Sequence, residues 1–406
     1  MKGRCYGMKL CSKKMTAVMI VLVLTALMFC SGAVAADGSA PVYSASDLFT
    51  SRDLQQEADL SAAVRHTVSD GQDIRITAAG VYVLSGQAKN VTVYVEAGKE
   101  DKVQLVLDGL QVTNDSFPVI YVKTADKVFV TTGADSALSV TGSFRADGGT
   151  STDGVIFSKC DLVLNGTASL TVSSTDNGIV CKDDLKITGG TYAVQATSKA
   201  VEANDSIRIA GGTLTLTAGT DGLHAENDED NTLGYIYISG GTMTIQAGDD
   251  GIHATSVAQI DGGTVTIRAS EGIESTYIQI NGGTIDIQAS DDGINAARKS
   301  GAYTPTIEIN GGDITVAMGS GDTDGIDSNG NIIVNGGTIR VTGNSTFDYD
   351  GSAQYNGGII IANGQQISYI PNQMMGGRGG MGGFSNTGWG NTGWGSGRGG
   401  RGGWGR

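Results

Sequence analysis

The pair Gly-Gly recurs at 189, 211, 240, 262, 282, 311 and 336, followed each time by threonine or, once, by Asp313. Apolar and polar residues alternate around each pair, as in IQINGGTIDIQAS, and alternation marks a strand with one buried face. In the stretch 284–289, Ile285, Ile287 and Ala289 fall on one side and Thr284, Asp286 and Gln288 on the other. A second short strand (GINA, GIHA) and a third (YIQIN, IEIN) complete a unit of three strands and three turns. One unit of about 21 residues cannot bury its own isoleucines, but stacked copies seal a continuous core. The expected fold is therefore all-β, a right-handed parallel β-helix (β-solenoid) of about 21 residues per coil. About a dozen coils at the usual strand spacing make a rod roughly 55–60 Å long. Calcium β-rolls need a period of about nine and propeller blades about 40 residues, which excludes both.

Sixty-three glycines argue against a helical bundle, and 39% apolar residues argue against disorder throughout. Residues 1–36 read as an export signal: Lys2, Arg4, Lys9, Lys13 and Lys14 precede an apolar run from Met15 to Phe29 and the small-residue site AVAAD. Cleavage is expected after Ala35 or Ala36; a lipoprotein anchor on Cys30 is the rival, with Phe29 a poor neighbour for it. No later apolar run reaches the roughly 18 residues of a membrane span, so a secreted, extracellular or cell-surface monomer is expected. Residues 37–73 read as an N-terminal segment and cap, 74–370 as the β-helix, and 371–406 as a Gly/Arg/Trp-rich disordered tail that holds all three tryptophans. The tail reads as a spacer, or as a segment whose tryptophans touch glycans. Setting aside the five cations of the leader and the four of the tail leaves the body at −24, which repels nucleic acid. Cys160 and Cys181 are left after cleavage, either as a disulfide or as two buried thiols.

Asp221, Asp250, Glu271, Asp292 and Asp324 share one register of the repeat, and His224, His253, Glu274, Asn295 and Asp327 follow three positions later. One Asp-Gly pair means only a turn. The series means more. If Ile252, Ile273, Ile294 and Ile326 point inward, the residues between point outward, into one external groove of carboxylates. Unit charges about 4.8 Å apart repel by roughly 1 kcal/mol in water and about 3.5 kcal/mol at an effective dielectric of 20. Calcium suits this oxygen-rich set; partial protonation, charge spreading or a softer metal at the histidines are the alternatives. Asp291 adjoins the set, Glu274, Asn295 and Asp327 extend it, and Asp228 and Asp230 lie in the acidic insertion ENDEDN, which reads equally as a cation loop or a solvated one. A second insertion, ARKSGAYTP, leaves its unit at the same point, so both loops should overhang one side.

The stretches DKVQLVLDG, DGVIFSKCDLVLNGTASLTV, GIVCKDDLKITGGTY and the serial GGTxxIxAxxDGI resemble the secreted carbohydrate-binding-domain proteins of clostridia and related bacteria. The resemblance spans roughly Phe49 to Ile370 and implies a calcium-binding, pectate-lyase-like parallel β-helix that binds cellulose and acidic sugars. It implies calcium-assisted binding of a polysaccharide partner, for which the hydroxyl-bonding side chains Asn295, Asp327 and Glu274 and the tyrosines Tyr277, Tyr235 and Tyr237 are the expected sugar contacts; each tyrosine reads equally as core filler. A pectate-lyase-like activity needs a base beside the metal. Between Asp221 and Asp327 the lysines and arginines are Arg268, away from the ladder, and Arg298 and Lys299, in the long loop, so that chemistry is not expected. A structural adhesin is the third alternative.

Overall fold

The computed structural model describes residues 42–320 and 323–373. The expected export signal, Cys30 and all but the first three residues of the expected tail lie outside them. No helix of the described residues is long and apolar enough to cross a membrane. The described residues are all-β: one helix of four residues, Ala45–Leu48, precedes strands that join in one long sheet. All pairings between named strands are parallel except Ile359–Ala362 with Gln365–Ile367, which is antiparallel.

The repeat dictates the pairing. Thr264–Ala269 lies against Thr284–Ala289 with Val265 opposite Ile285 and Ile267 opposite Ile287. Each strand of the unit meets its counterpart in the next, so buried isoleucines, valines and leucines line up along a single hydrophobic core. The alternation expected for Thr284–Ala289 is observed, with Ile285, Ile287 and Ala289 buried and the residues between exposed. The second Gly of each pair turns the chain; Gly283, at φ +93°, occupies backbone space that side-chain-bearing residues avoid. Cys160 and Cys181 are free thiols, Cys181 fully buried with its Sγ 3.3 Å from the Cys160 carbonyl oxygen.

The N-terminal segment corrects one expectation. It does not begin as a cap; it runs along the flank of the sheet. Gln259 clasps Tyr43, accepting from its N–H (2.7 Å) and donating to its carbonyl (2.9 Å). The Tyr43 ring stacks on Tyr235 at 4.2 Å, and Phe49 packs on Tyr237. Farther along, Asp53 binds buried Lys186 (2.9 Å), and Gln56 reaches the Thr188 carbonyl and the Gly166 N–H. Burial would raise the Asp53 pKa, but the bonds from Lys186 and Thr50 hold it below the ordinary range. An aromatic pair adds about 0.5–1.5 kcal/mol beyond its buried area. Tyr43→Ala is therefore expected to speed limited proteolysis of this segment about fivefold, the population change of ~1 kcal/mol. An unchanged cleavage rate would show that the stack does not hold the segment down.

Candidate functional site

The second strand is buried on both faces in units such as Leu223–Ala225 and Ile294–Ala296, while Asp324–Ser328 leaves the outward Asp327 half-buried. Leu223, Ile252, Ile273, Ile294 and Ile326 form its inward row. Between them, His224, His253, Glu274, Asn295, Asp327 and Asp348 stand in one outward column. Steps of 29 and 32 residues separate His224 from His253 and Asn295 from Asp327, yet the register holds, because the insertions loop out before the next strand begins.

The same column continues toward the N-terminus through Glu202, Val180, Phe157, Tyr121 and Tyr94 to Arg75. One face thus passes from cation and aromatics, through histidines, to carboxylates. Only its acidic half is marked by the Asp-Gly series in the sequence.

Instead of the open groove expected, the middle of the column is covered: Asp221, His224, Asp250, His253 and Glu274 are all buried. The two insertions meet above it, where the Ser300 hydroxyl donates to the Asn231 carbonyl. They do overhang one side, as their positions in the unit predict. Clefts of about 450 Å³ and 530 Å³ flank the acidic loop, the first reaching His224, Lys182 and Lys199, the second His253, Lys299 and Ser300.

Charge is arranged in two parts. His253 Nδ1 lies 2.6 Å from Asp250 Oδ2 and 3.0 Å from Glu274 Oε2, and Lys299 Nζ lies 2.9 Å from the same Glu274 oxygen. Burial alone would lower the His253 pKa, but the hydrogen bonds to both carboxylates outweigh it and push it up to about 9, so the ring is a cation at neutral pH. His224 stacks on His253 at 4.7 Å and bridges Asp221 (2.8 Å) and Glu226 (3.1 Å). His253 and Lys299 thus bring the protein's own positive charge to this half.

In the other half, no ion pair reaches Glu271, Asp292, Asp324, Asp327 or Asp348 among the described residues. Burial first, then Glu274, pushes Glu271 up to about 7 against the Asn295 amide that donates to it (3.1 Å). Burial raises Asp292 to about 6, with Asp291 and Asp324 adding to it, and Asp327 to about 7, with Asp292 and Asp348 adding. Asn295 Oδ1 and Asp324 Oδ1 are buried with no hydrogen-bond partner. Such orphaned oxygens cost roughly 1–3 kcal/mol each unless something else meets them.

Of the other residues singled out in the sequence, Asp291 is exposed at the turn, and Asp230 folds its own loop by accepting from the Thr232 N–H and hydroxyl. Asp228 is exposed in that loop. The proposed tyrosine row is corrected: Tyr235 and Tyr237 are buried beneath Tyr43 and Phe49, and Tyr277 packs beside Tyr303 with its hydroxyl on Glu308. Lys299 does lie in the inserted loop, as the sequence places it, and its ammonium reaches back to the column at Glu274.

A family model described as carbohydrate-binding domain-containing protein matches residues 70–323 and 271–367. A protein of the same description from Acetivibrio thermocellus is 35% identical over 130 residues, which is 31% of this chain and 46% of that protein, so the chain spans about half the length of that curated relative. A solved structure of the polysaccharide lyase-like protein from C. thermocellum, a gadolinium derivative, aligns at 29% identity over 55% of this chain and 96% of that one, with a TM-score of 0.49. With the family model covering nearly all of the repeat-bearing sequence, the chain belongs to the carbohydrate-binding domain-containing protein family.

Proposed function

We propose that the chain winds as a right-handed parallel β-helix and serves outside the cell as a non-catalytic polysaccharide-binding module whose acidic column takes up calcium. The family supports carbohydrate as the ligand. The observation that carries the cation is the uncompensated half of the column: five carboxyl groups without an ion pair among the described residues, with two buried oxygens orphaned there, Asp324 Oδ1 and the amide Oδ1 of Asn295.

The donor set fits a hard cation. Glu271, Asp292, Asp324, Asp327 and the Asn295 amide offer only oxygen, as calcium prefers. The Asp250–His253–Glu274 cluster, whose donor atoms lie within 4.8 Å of one another, fits less well because His253 would first have to give up a proton held by two carboxylates. Calcium supplies positive charge where a body of −24 otherwise repels a uronate polymer, and neutral cellulose would need no such bridge. Asp327 remains a sugar contact of this reading; the covered Glu274, Asn295, Tyr235 and Tyr237 do not.

Calcium at about a hundred times its dissociation constant should stabilise the protein by ~2.7 kcal/mol, raising the melting temperature by about 5 °C. Retention on polygalacturonate should fall away with chelator. A protein that melts identically with calcium and with chelator overturns the cation reading.

Lys299 beside Glu274 favours one rival, a lyase. Burial would lower its pKa, but Glu274 more than offsets this and keeps it protonated, the wrong state for a general base. Growth of unsaturated-uronate absorbance during incubation with polygalacturonate would establish the lyase instead.

A further inference from the structure

We infer that the cleft between Tyr94 and Arg145 is a second carbohydrate subsite, which takes a neutral hexosyl unit without a metal ion. This rests on the carbohydrate-binding reading and adds a place and a ligand class to it.

The cleft lies at the opposite end of the outward column. Six strand steps separate Tyr94 from His253, about 29 Å at the usual spacing. Its volume of about 280 Å³ sits just under the roughly 300–1,000 Å³ of small-ligand clefts, room for one sugar ring. Phe117 and the half-buried Tyr94 give it apolar wall, and Arg145, Asn90, Asp73 and Asp115 give it polar edge.

Those polar groups are held in place yet not used up. Asn90 and Asp115 bind each other twice, Asn90 Nδ2 donating to Asp115 Oδ2 and Asn90 Oδ1 accepting from the Asp115 N–H, both at 2.9 Å. Asp73 Oδ1 accepts from the Thr92 N–H at 2.9 Å. One oxygen of each carboxylate stays available to a hydroxyl. The Arg145 guanidinium lies 4.7 Å from the Phe117 ring centroid, and its donors meet no hydrogen bond or ion pair among the described residues. The Tyr94 ring is steadied by Arg75 at 4.3 Å, and its hydroxyl has no hydrogen-bond partner among them.

This inventory selects a class of ligand. Vicinal hydroxyls can donate to Asp73 and Asp115 while accepting from the guanidinium fork. A carboxylated sugar would gain from Arg145 but meet two like charges, so a neutral polyol fits better. The acceptors are already in place, which lowers the ordering cost of binding.

Titration of the full chain by calorimetry with cellohexaose and mannohexaose, in chelator, tests the subsite. Wild type should bind at least one of them, and Arg145→Ala and Tyr94→Ala should each weaken that binding about tenfold or more. Calcium-dependent retention on polygalacturonate should be unchanged in both variants, and Arg145 is exposed, so its variant should keep the wild-type melting temperature. Wild type that holds only polygalacturonate, and only with calcium, overturns the subsite while leaving the proposed function standing. Undiminished binding of the neutral oligomers by both variants also overturns it. Neutral binding that needs the two residues while calcium changes nothing on any glycan supports the subsite and overturns the cation reading.

Discussion

Replacing His253 with alanine is expected to cost about 3 kcal/mol of stability in chelator, read from denaturant unfolding. Its Nδ1 serves two buried carboxylates at once, Asp250 at 2.6 Å and Glu274 at 3.0 Å. Removing one partner of a buried ion pair leaves an uncompensated charge, and such losses run to about 3–5 kcal/mol. The lower end applies because Lys299 still reaches Glu274. Divalent cation should recover part of the loss if it can enter the vacated space. His224→Ala should cost less, since Glu226 is half exposed and Asp221 keeps its bond from the Asp250 N–H. A loss under about 1 kcal/mol for His253→Ala would mean that these carboxylates are neutral in the folded protein.

The second large effect is expected at Gly272. A Cβ there would stand 2.2 Å from the Gly293 carbonyl oxygen and 2.5 Å from Ile287 Cγ2. The nearer atom is backbone of the next unit, just ahead of the strand Ile294–Ala296, so no side-chain rotation relieves the clash. Gly272→Ala should therefore reach or exceed the upper end of the roughly 1–3 kcal/mol typical of overpacking. Gly251 meets the Gly272 carbonyl oxygen at 2.6 Å in the same way, so the glycine after each acid is a packing requirement of the stack as well as a turn. Thermal melting that matches wild type would show that the strands can spread at this point without cost.

The repeat made the strands, their faces and the carboxylate register legible before any coordinates. Period-two alternation says which residues point outward, and the 21-residue spacing says which of them become neighbours, as Asp250 and Glu271 do. It cannot say what covers an outward face. For that reason Tyr235 and Tyr237 read equally as sugar contacts and as core filler, and it is a segment almost 200 residues earlier in the chain that lies over them. Lys299 escaped for a related reason: an inserted loop has no period, and its return to Glu274 depends on the bonds of Lys299 and Ser300 N–H groups to Thr276 Oγ1 (3.0 and 2.7 Å). The aromatic start of the column was hidden because its units are less regular in length, so Tyr94, Tyr121 and Phe157 share no obvious spacing with His253.

The flanking N-terminal segment has a mechanical consequence. In a stack where each layer grips only the next, unfolding can peel away one layer after another from an end. Between Asp53 on Lys127 and Val42 on Gln279, a single stretch of chain is lashed across the layers from one to the other. It acts as a tie-rod, so the layers it crosses should let go together, in one sharp transition that broadens when the rod is cut.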